Sequence, residues 1–273
     1  MTFKPSELAR LLEQLGTKAK KNLSQNFLID GNIVRKILAA ASVQANDLVI
    51  EIGPGPGALT EALLQAGAHV LAIEKDPVFA SALSRLQTAD GRLEVVTEDV
   101  LNFPFAAHLQ GKTGVKVVAN LPYHITTPIL ERLISLHENM ESLTLMVQKE
   151  VAERFTAKKN TPEYGSLTIF LQVYSTARYC FTVEPTCFYP KPKVRSAVVH
   201  FTLKAPQGLA EDFFRLTRTA FQKRRKMLRS SLRELHPPEI IEQALTAQGL
   251  NPEARPEDLS LDEFRSLASQ LNL

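Results

Sequence analysis

The sequence predicts an α/β protein: a doubly wound, mostly parallel sheet, followed by a small all-helical domain. Two observations predict the sheet. From residue 31 to about 150 short apolar runs alternate with amphipathic helical patterns, and the first run ends in a glycine- and proline-rich turn. A third observation predicts the helical part, since every apolar pattern beyond residue 205 has helical spacing. We therefore expect a linker at 205–208, with one domain over residues 1–204 and a second over 205–273.

The individual elements follow one another at the intervals of strand–helix–strand units. The predicted strands cover residues 48–52, 69–73, 93–96, 115–119 and 143–147, with an antiparallel pair at 179–183 and 197–203. The helices between them begin near residues 31, 58, 77, 128 and 166. The C-terminal helices cover residues 212–220, 223–235, 238–248 and 261–271. Strands separated by helices of this length indicate a parallel sheet that is covered on both faces.

Composition and charge restrict the class of protein. The chain is 44% hydrophobic and 22% charged, and no apolar run approaches the roughly 20 residues that a membrane span needs. Cys180 and Cys187 are too few for a disulfide framework and lack zinc-ligand spacing, which predicts no bound metal. Together with the lack of an apolar run, this predicts a reducing cytoplasmic location and no membrane partner. The net charge is only +3, yet the basic residues are clustered, which indicates a polyanion bound at particular surfaces. The clusters are Lys18, Lys20 and Lys21; Lys191, Lys193 and Arg195; and eight Lys or Arg within 213–233.

Three consecutive strand ends carry residues suited to a nucleoside. Gly53 and Gly55 follow the first strand, where the missing Cβ atoms allow a ligand to approach the backbone at a helix N-terminus. Glu74 ends the second strand, where a carboxylate can accept two ribose hydrogen bonds, and Asp99 with Val100 suits an adenine amine and ring. The alternatives are a purely structural turn for the glycines and a solvated strand end for the carboxylate. The glycine spacing departs from the G-x-G-x-x-G fingerprint, which favours a methyltransferase over a dehydrogenase.

The end of the fourth strand carries the residues that indicate the type of reaction. Asn120-Leu121-Pro122-Tyr123 resembles the catalytic motif of amino-methyltransferases that act on adenine N6. The Asn120 side-chain oxygen and the Leu121 carbonyl can accept the two amine hydrogens, which aims the nitrogen lone pair at a methyl carbon. Pro122 would hold the turn, and Tyr123 would stack on an unpaired or flipped base. A proline turn without function is the alternative.

Two further segments indicate which family of adenine N6-methyltransferases the chain resembles. Residues 21–28 (Lys-Asn-Leu-Ser-Gln-Asn-Phe-Leu) resemble an N-terminal cofactor motif, and residues 188–196 (Phe-Tyr-Pro-Lys-Pro-Lys-Val-Arg-Ser) resemble an F-x-P-x-P-x-V-x-S loop. In order from about residue 18 to 235, the chain is similar to the KsgA/RsmA family of 16S rRNA adenine N6-dimethyltransferases. The resemblance implies a Rossmann-like class I sheet and S-adenosyl-L-methionine as methyl donor. It also implies dimethylation of two adjacent adenosines in a hairpin near the 3′ end of 16S rRNA, during small-subunit biogenesis.

The resemblance also implies roles for individual residues. It places Asn26, Leu28, Gly53, Glu74, Asp99 and Asn120 around the cofactor. The roles of Asn26 and Leu28 rest on the resemblance alone. Phe188 would stack on the second face of the target base, with a core position as the alternative.

The basic stretch near the C-terminus predicts contacts with RNA phosphates. Between residues 213 and 235 an apolar helical stripe adjoins a face of arginines, and residues 213–233 contain no acidic residue. This stretch is similar to the corresponding segment of the family. A merely solvated helix face is the alternative, although such a face usually mixes both signs of charge. Phosphate contacts would make binding strongly dependent on salt. The residues predicted to bind RNA are Arg218, Lys223, Arg224, Arg225, Lys226 and Arg229.

Two other functions stay open at this point. One is an Erm-type 23S rRNA adenine N6-methyltransferase, and the other is a ribosome-assembly or nucleic-acid-binding factor with dispensable catalysis. The Gly-Pro-Gly-Pro-Gly turn and Asn-Leu-Pro-Tyr favour the 16S family, since Erm-type proteins more often carry Gly-Ser-Gly-Lys and Asn-Ile-Pro-Tyr. The expected partner is 16S rRNA in the small subunit or its precursor, and the chain is expected to act as a monomer.

Overall fold

A computed structural model describes residues 5–20, 25–206, 211–223 and 225–273. The chain divides into two compact units. The first contains the described residues up to Ala152 together with Arg178–Leu203, and the second contains Glu153–Ala177 and Lys204–Leu273. The second unit therefore includes a segment from the middle of the chain, whereas the sequence predicted one boundary near residue 205.

The first unit is built on a seven-stranded sheet. Its strands are β2 (Leu48–Ile52), β3 (His69–Glu74), β4 (Leu93–Thr97), β5 (Val115–Asn120), β6 (Met140–Gln148), β7 (Ser175–Val183) and β9 (Ser196–Leu203), with β1 (Phe27–Leu28) and β8 (Phe188–Tyr189) forming a separate pair. The order across the sheet is β4-β3-β2-β5-β6-β9-β7. Strands β2 to β6 pair in parallel, and β6 pairs antiparallel with β9. The predicted α/β class with a mostly parallel sheet is confirmed.

Helices cover the sheet because its central strands are apolar in almost every position. In β5 the residues from Val115 to Ala119 are all buried, as expected for a parallel strand packed on both faces. Local signals set the helix starts: the Asp30 carboxylate accepts hydrogen bonds from the Asn32 and Ile33 amides and caps the helix that follows. The helices up to residue 155 are α1 (Pro5–Gln14), α2 (Gly31–Ala41), α3 (Ala58–Gln65), α4 (Pro77–Ala82), α5 (Phe105–Leu109), α6 (Thr126–Ile134) and α7 (Lys149–Phe155).

The short β1–β8 pair ties the segment after the first helix to the segment before β9. Its strands are antiparallel, and Phe27 lies opposite Tyr189 while Leu28 lies opposite Phe188. Residues opposite each other share a face of a sheet, and neighbours along a strand take opposite faces. Accordingly Leu28 and Phe188 belong to one hydrophobic cluster of the first unit, whereas Phe27 is buried in a second cluster with Leu8, Leu12 and Phe79.

The second unit is built from helices, together with the first three residues of β7. Its helices are α8 (Ser166–Tyr174), α9 (Glu211–Gln222), α10 (Leu228–Ser231), α11 (Pro238–Ala247) and α12 (Leu261–Gln270). One hydrophobic cluster joins Ile169 and Val173 of α8 to Phe213 of α9 and Phe264 of α12. This shared cluster explains why the segment that contains α8 belongs to this unit, although it precedes most of β7 and all of β9 in the chain.

The predicted helix over residues 223–235 is wrong. Helix α9 ends at Gln222, and α10 is the only helix among the described residues of the predicted span, which exclude residue 224. The Leu228 amide instead donates to the Ala254 carbonyl at 2.8 Å, which replaces a helical hydrogen bond by a tertiary one. Like charges three and four residues apart also disfavour a continuous helix through this basic stretch.

Membrane spans and metal clusters were both expected to be absent. Among the described residues, no helix combines the length and apolar character that crossing a bilayer requires. The same residues contain no group of three His, Cys, Asp or Glu side chains arranged to hold a metal ion. Cys180 and Cys187 are both free and half-buried.

Candidate active site and nucleic-acid interface

An open cleft of about 810 Å³ lies where the carboxyl ends of β2, β3, β4 and β5 meet. Because parallel strands run in one direction, the turns that follow them share one edge of the sheet. A cavity of about 310 Å³ is lined by Leu28, Gly53 and Asn120. The predicted site residues that line the larger cleft are Asn26, Gly53, Gly55, Glu74, Asp99, Val100, Asn120, Leu121, Pro122 and Tyr123.

The glycine turn after β2 forms the floor of the cleft. Gly55 has a φ of +52°, and a Cβ atom there would lie 3.0 Å from two carbons of the Phe27 ring. The Gly55 amide donates to the Glu74 Oε2 atom at 2.9 Å. A side chain at Gly55 would therefore be strained by its φ and would displace either the ring or this hydrogen bond.

Glu74 is a buried carboxylate at the end of β3. Its Oε2 atom accepts the Gly55 amide, and its Oε1 atom accepts the Asp76 amide at 2.8 Å. Burial raises the pKa of Glu74 above its ordinary value, and the two amide donors partly oppose this. Each carboxylate oxygen can accept more than one hydrogen bond, so Glu74 keeps acceptor capacity for hydroxyls in the cleft.

Asp99 follows β4 and is held in its ionised form. The Lys75 ammonium donates to Asp99 Oδ2 at 2.7 Å, and the Leu101 amide donates to Oδ1 at 2.9 Å. These two bonds lower the pKa of Asp99, the lysine contributing most. The apolar side chain of Val100 is buried beside it. A charged acceptor next to an apolar surface suits an amino group on an aromatic ring.

The side chain of Asn120 has a fixed orientation. Its Nδ2 atom donates to the Asn26 carbonyl at 3.0 Å. A carbonyl can only accept, so the amide nitrogen of Asn120 must face Asn26 and its Oδ1 atom must point the other way. The segment before β1 therefore determines which atom of Asn120 remains to accept a proton from a ligand.

Tyr123 is fixed by a residue that lies 73 positions later in the chain. Its hydroxyl and the Ser196 hydroxyl share a hydrogen bond of 2.6 Å, and Ser196 is fully buried at the start of β9. Burial raises the pKa of Tyr123, so its hydroxyl stays protonated at neutral pH. Pro122 has a φ of −60° and precedes a short 3₁₀ turn. The ring of Tyr123 is thus anchored at its far end while it lines the cleft.

Comparison with known proteins identifies the family. Residues 16–273 match the family described as ribosomal RNA adenine dimethylase. The chain belongs to the ribosomal RNA adenine dimethylase family. It is therefore a methyltransferase that acts on adenine in ribosomal RNA, as the Asn120–Tyr123 motif predicted.

Individual relatives agree over nearly the whole chain. The chain is 54% identical to "Ribosomal RNA small subunit methyltransferase A" of Protochlamydia amoebophila, over 98% of this chain and 97% of the relative. It is 48% identical to the protein of the same description in Chlamydia caviae, over 96% of this chain and 95% of the relative. A dimethyladenosine transferase from Plasmodium falciparum superposes with a TM-score of 0.75 at 27% identity, covering 90% of this chain and 97% of that one. The 23S rRNA methyltransferase ErmE superposes with a TM-score of 0.72 at 25% identity, covering 91% and 100%.

Phe188 is the predicted site residue that the structure places elsewhere. Its side chain is 1% exposed and packs in the hydrophobic core of the first unit, so it lines neither the cleft nor the smaller cavity. The β1–β8 register explains this, because it turns Phe188 to the same face as the buried Leu28. The structure thus shows Phe188 in the core, which was the alternative to stacking on the base. We therefore assign Phe188 no contact with the base.

Glu51 lines the smaller cavity, and it is not among the site residues that the sequence predicted. It is 1% exposed within β2, and within the described part of the chain its Oε2 atom has no hydrogen-bond partner. Burial, the largest cause, raises the pKa of Glu51 to about 8. A charged residue type inside an otherwise apolar strand was the signal that could have identified it.

The basic residues predicted to bind RNA fall into two classes in the helical unit. Arg218 pairs with Glu211 at 2.5 Å, Lys223 lies 3.8 Å from Glu234, and Arg229 pairs with Glu242. Arg225 and Lys226 are exposed, and among the residues that the structure describes neither has a carboxylate partner. Arg224 lies outside the described residues.

Proposed function

We propose that the protein transfers methyl groups from S-adenosyl-L-methionine to N6 of two adjacent adenosines in a hairpin near the 3′ end of 16S rRNA. The observation that carries this proposal is the Asn120 side chain, whose oxygen is left for a substrate amine because its nitrogen is bound to Asn26. The names of the Protochlamydia and Chlamydia relatives support a small-subunit target. We propose that the reaction accompanies small-subunit assembly and therefore takes place in the cytoplasm.

The cleft suits the methyl donor, which supplies an electrophilic methyl group on a sulfonium ion. Glu74 offers carboxylate oxygens with remaining acceptor capacity, which suits the two hydroxyls of a ribose. Asp99 and Val100 offer an ionised acceptor and an apolar surface for the adenine of the donor. The unpaired Oε2 of Glu51 offers a further acceptor in the smaller cavity, which Leu28 also lines. Gly55 leaves room for a ligand against the backbone.

Transfer depends on how the chain holds the substrate amine. The lone pair of an exocyclic adenine amine is delocalised into the ring, so the amine is a poor nucleophile. The Asn120 Oδ1 atom and the Leu121 carbonyl would accept its two hydrogens and favour a pyramidal nitrogen. The methylated nitrogen is cationic and acidic, so it loses a proton to solvent without a dedicated base. Tyr123 would stack on the base that enters the cleft, which offsets part of the cost of unstacking it.

The deciding experiment is methyl transfer from labelled S-adenosyl-L-methionine to small and large ribosomal subunits that lack the modification. We expect label on small-subunit adenines as N6,N6-dimethyladenine. Label confined to large subunits would favour the activity that the ErmE structure represents. Donor binding without transfer to either subunit would favour an assembly factor. A variant without transfer activity that still supports subunit maturation would separate an assembly role from catalysis.

Phosphate binding in the helical unit is expected to depend on the unpaired cations. Replacing Arg225 and Lys226 by glutamine removes two exposed charges that pair with no carboxylate in the described ranges, so we expect weaker RNA binding. The slope of log K against log salt should fall by about 0.7–0.9 per residue. Measurement of RNA affinity over a range of salt concentrations checks this.

Arg229→Gln is the matched comparison for this pair of substitutions. Arg229 pairs with Glu242 and lies 3.9 Å from Glu253, and its side chain is one-third exposed. We expect this variant to lower the melting temperature of the protein and to change the salt slope less than either exposed substitution. A larger change in the slope for Arg229→Gln than for Arg225→Gln would contradict this assignment.

A further inference from the structure

The loop of residues 190–195 is fixed at both of its ends to residues that line the cleft. At one end, Tyr189 is paired with Phe27 in the β1–β8 ribbon, and Phe27 lines the cleft. At the other end, the Ser196 hydroxyl is bound to the hydroxyl of Tyr123, which also lines the cleft. A six-residue loop with both ends held there must run along the rim of the cleft.

The side chain of Tyr189 is partly exposed at the start of this loop. Tyr189 shares a face of the ribbon with Phe27, whereas its neighbour Phe188 takes the opposite face and is buried. Tyr189 is 37% exposed, and it is one of three large apolar side chains that the described part of the chain leaves exposed. A second one, Val194, lies in the loop itself. The rim therefore presents apolar surface next to the cleft.

The same loop carries exposed positive charge. Lys191 and Lys193 are exposed, and within the described ranges neither has a carboxylate partner. Arg195 differs, because it pairs with Glu184 at 3.2 Å. An exposed aromatic ring beside unpaired lysines is the combination by which proteins bind single-stranded RNA, through stacking on bases and contacts to phosphates.

We propose that Tyr189 stacks on a nucleotide next to the target adenine and that Lys191 and Lys193 contact the phosphates on that side. This inference rests on the proposed function, since it requires an RNA substrate with an adenine in the cleft. It assigns the stacking contact of this loop to Tyr189, and it leaves Phe188 in the core. The loop would then hold the RNA strand while Asn120 and Tyr123 hold the reacting base.

Tyr189→Ala and Tyr189→Phe test the stacking contact. The first probe is a protein-free hairpin RNA with two adjacent loop adenines and 2-aminopurine beside them, and the second is the unmethylated small subunit. We expect Tyr189→Ala to weaken hairpin binding about 10-fold and to relieve 2-aminopurine quenching, while Tyr189→Phe binds as the wild type does. With small subunits, KM should rise while kcat changes less than about twofold, because the contact lies away from the amine.

Tyr179→Ala is the matched control, since Tyr179 is a half-buried tyrosine in β7 whose hydroxyl is bound to Thr182 at 2.7 Å. Unchanged hairpin binding by Tyr189→Ala would overturn the proposal. So would a loss seen only with intact subunits, which would indicate contact with a ribosomal protein. If the wild-type protein methylates no small-subunit adenine, the proposed function itself fails. If the wild type is active and Tyr189→Ala binds the hairpin as the wild type does, the role of Tyr189 is overturned but the proposed function is not.

The salt dependence of RNA binding tests the lysine contacts separately. Lys191→Gln and Lys193→Gln should each reduce the slope of log K against log salt by about 0.7, whereas Tyr189→Ala should weaken binding at every salt concentration and leave the slope unchanged. Equal slopes for the wild type and both lysine variants would overturn the phosphate contacts.

Discussion

Replacing Asn120 by alanine is expected to lower the rate of methyl transfer by about 10²–10³-fold, the usual loss when a hydrogen-bonding group for the transition state is removed. The Asn120 oxygen is the acceptor that would hold one hydrogen of the adenine amine, and its nitrogen is bound to Asn26 at 3.0 Å. Asn120→Asp keeps an oxygen but loses the nitrogen donor and places a carboxylate against the Asn26 carbonyl. We expect that variant to be impaired as well.

Single-turnover transfer to unmethylated small subunits measures this loss, and calorimetric titration with the methyl donor shows whether the cleft still binds it. Asn139→Ala is the matched control, because Asn139 also donates to backbone carbonyls, at 3.0 Å to Leu109 and 2.8 Å to Lys112, and it does not line the cleft. We expect the control to keep the wild-type rate of transfer. An Asn120→Ala rate within tenfold of the wild type would remove Asn120 from the mechanism.

Glu51→Gln is expected to abolish much of the pH dependence of stability between pH 5 and pH 8. The folded state holds the Glu51 proton up to a pKa of about 8, whereas the ordinary value is 4.5. Between these values the folded state binds more protons than the unfolded state, so the free energy of unfolding falls as the pH rises towards 8. For one carboxyl the loss is on the order of 3 kcal/mol over this range. Glutamine has no such proton, and it is close in shape to the neutral acid.

Urea unfolding of the wild type and of Glu51→Gln at several pH values provides the measurement. Glu74, whose pKa burial also raises, contributes in the same direction in both proteins. Its charge also raises the pKa of Glu51, so the difference between the two curves reports Glu51 together with its interaction with Glu74. Glu94→Gln, at an exposed carboxylate in β4, should run parallel to the wild type. Parallel curves for Glu51→Gln and the wild type would show that the buried carboxyl is not protonated as proposed.

The parts of the fold that the sequence predicted depend on local patterns. The apolar residues of β5, for example, predict a buried strand by themselves, and the cleft follows because parallel strands end at one edge. The helix predicted for residues 223–235 failed because the Leu228 amide bonds to Ala254, which no local pattern reveals. The membership of residues 153–177 in the helical unit likewise depends on packing between segments that are distant in the chain.

The same division holds in the cleft. The glycines, the carboxylates at strand ends and the Asn120–Tyr123 motif could be identified because their chemistry is local to a strand end. The contact between Ser196 and Tyr123, and the face that Phe188 takes, could not, because both depend on how residues 188–196 meet distant strands. Which cations stay unpaired also depends on distant carboxylates, as the pairing of Arg229 with Glu242 shows.

The division of the chain has a consequence for dissecting the protein. The polypeptide passes from one unit to the other three times, after residues 152, 177 and 203. A fragment that ends at residue 204 would therefore keep α8 but lose Phe213 and Phe264, against whose cluster Ile169 and Val173 are buried. The apolar face left uncovered would favour aggregation. The helical unit cannot be exchanged between relatives through a single cut, so hybrid proteins need matched replacements at both segments.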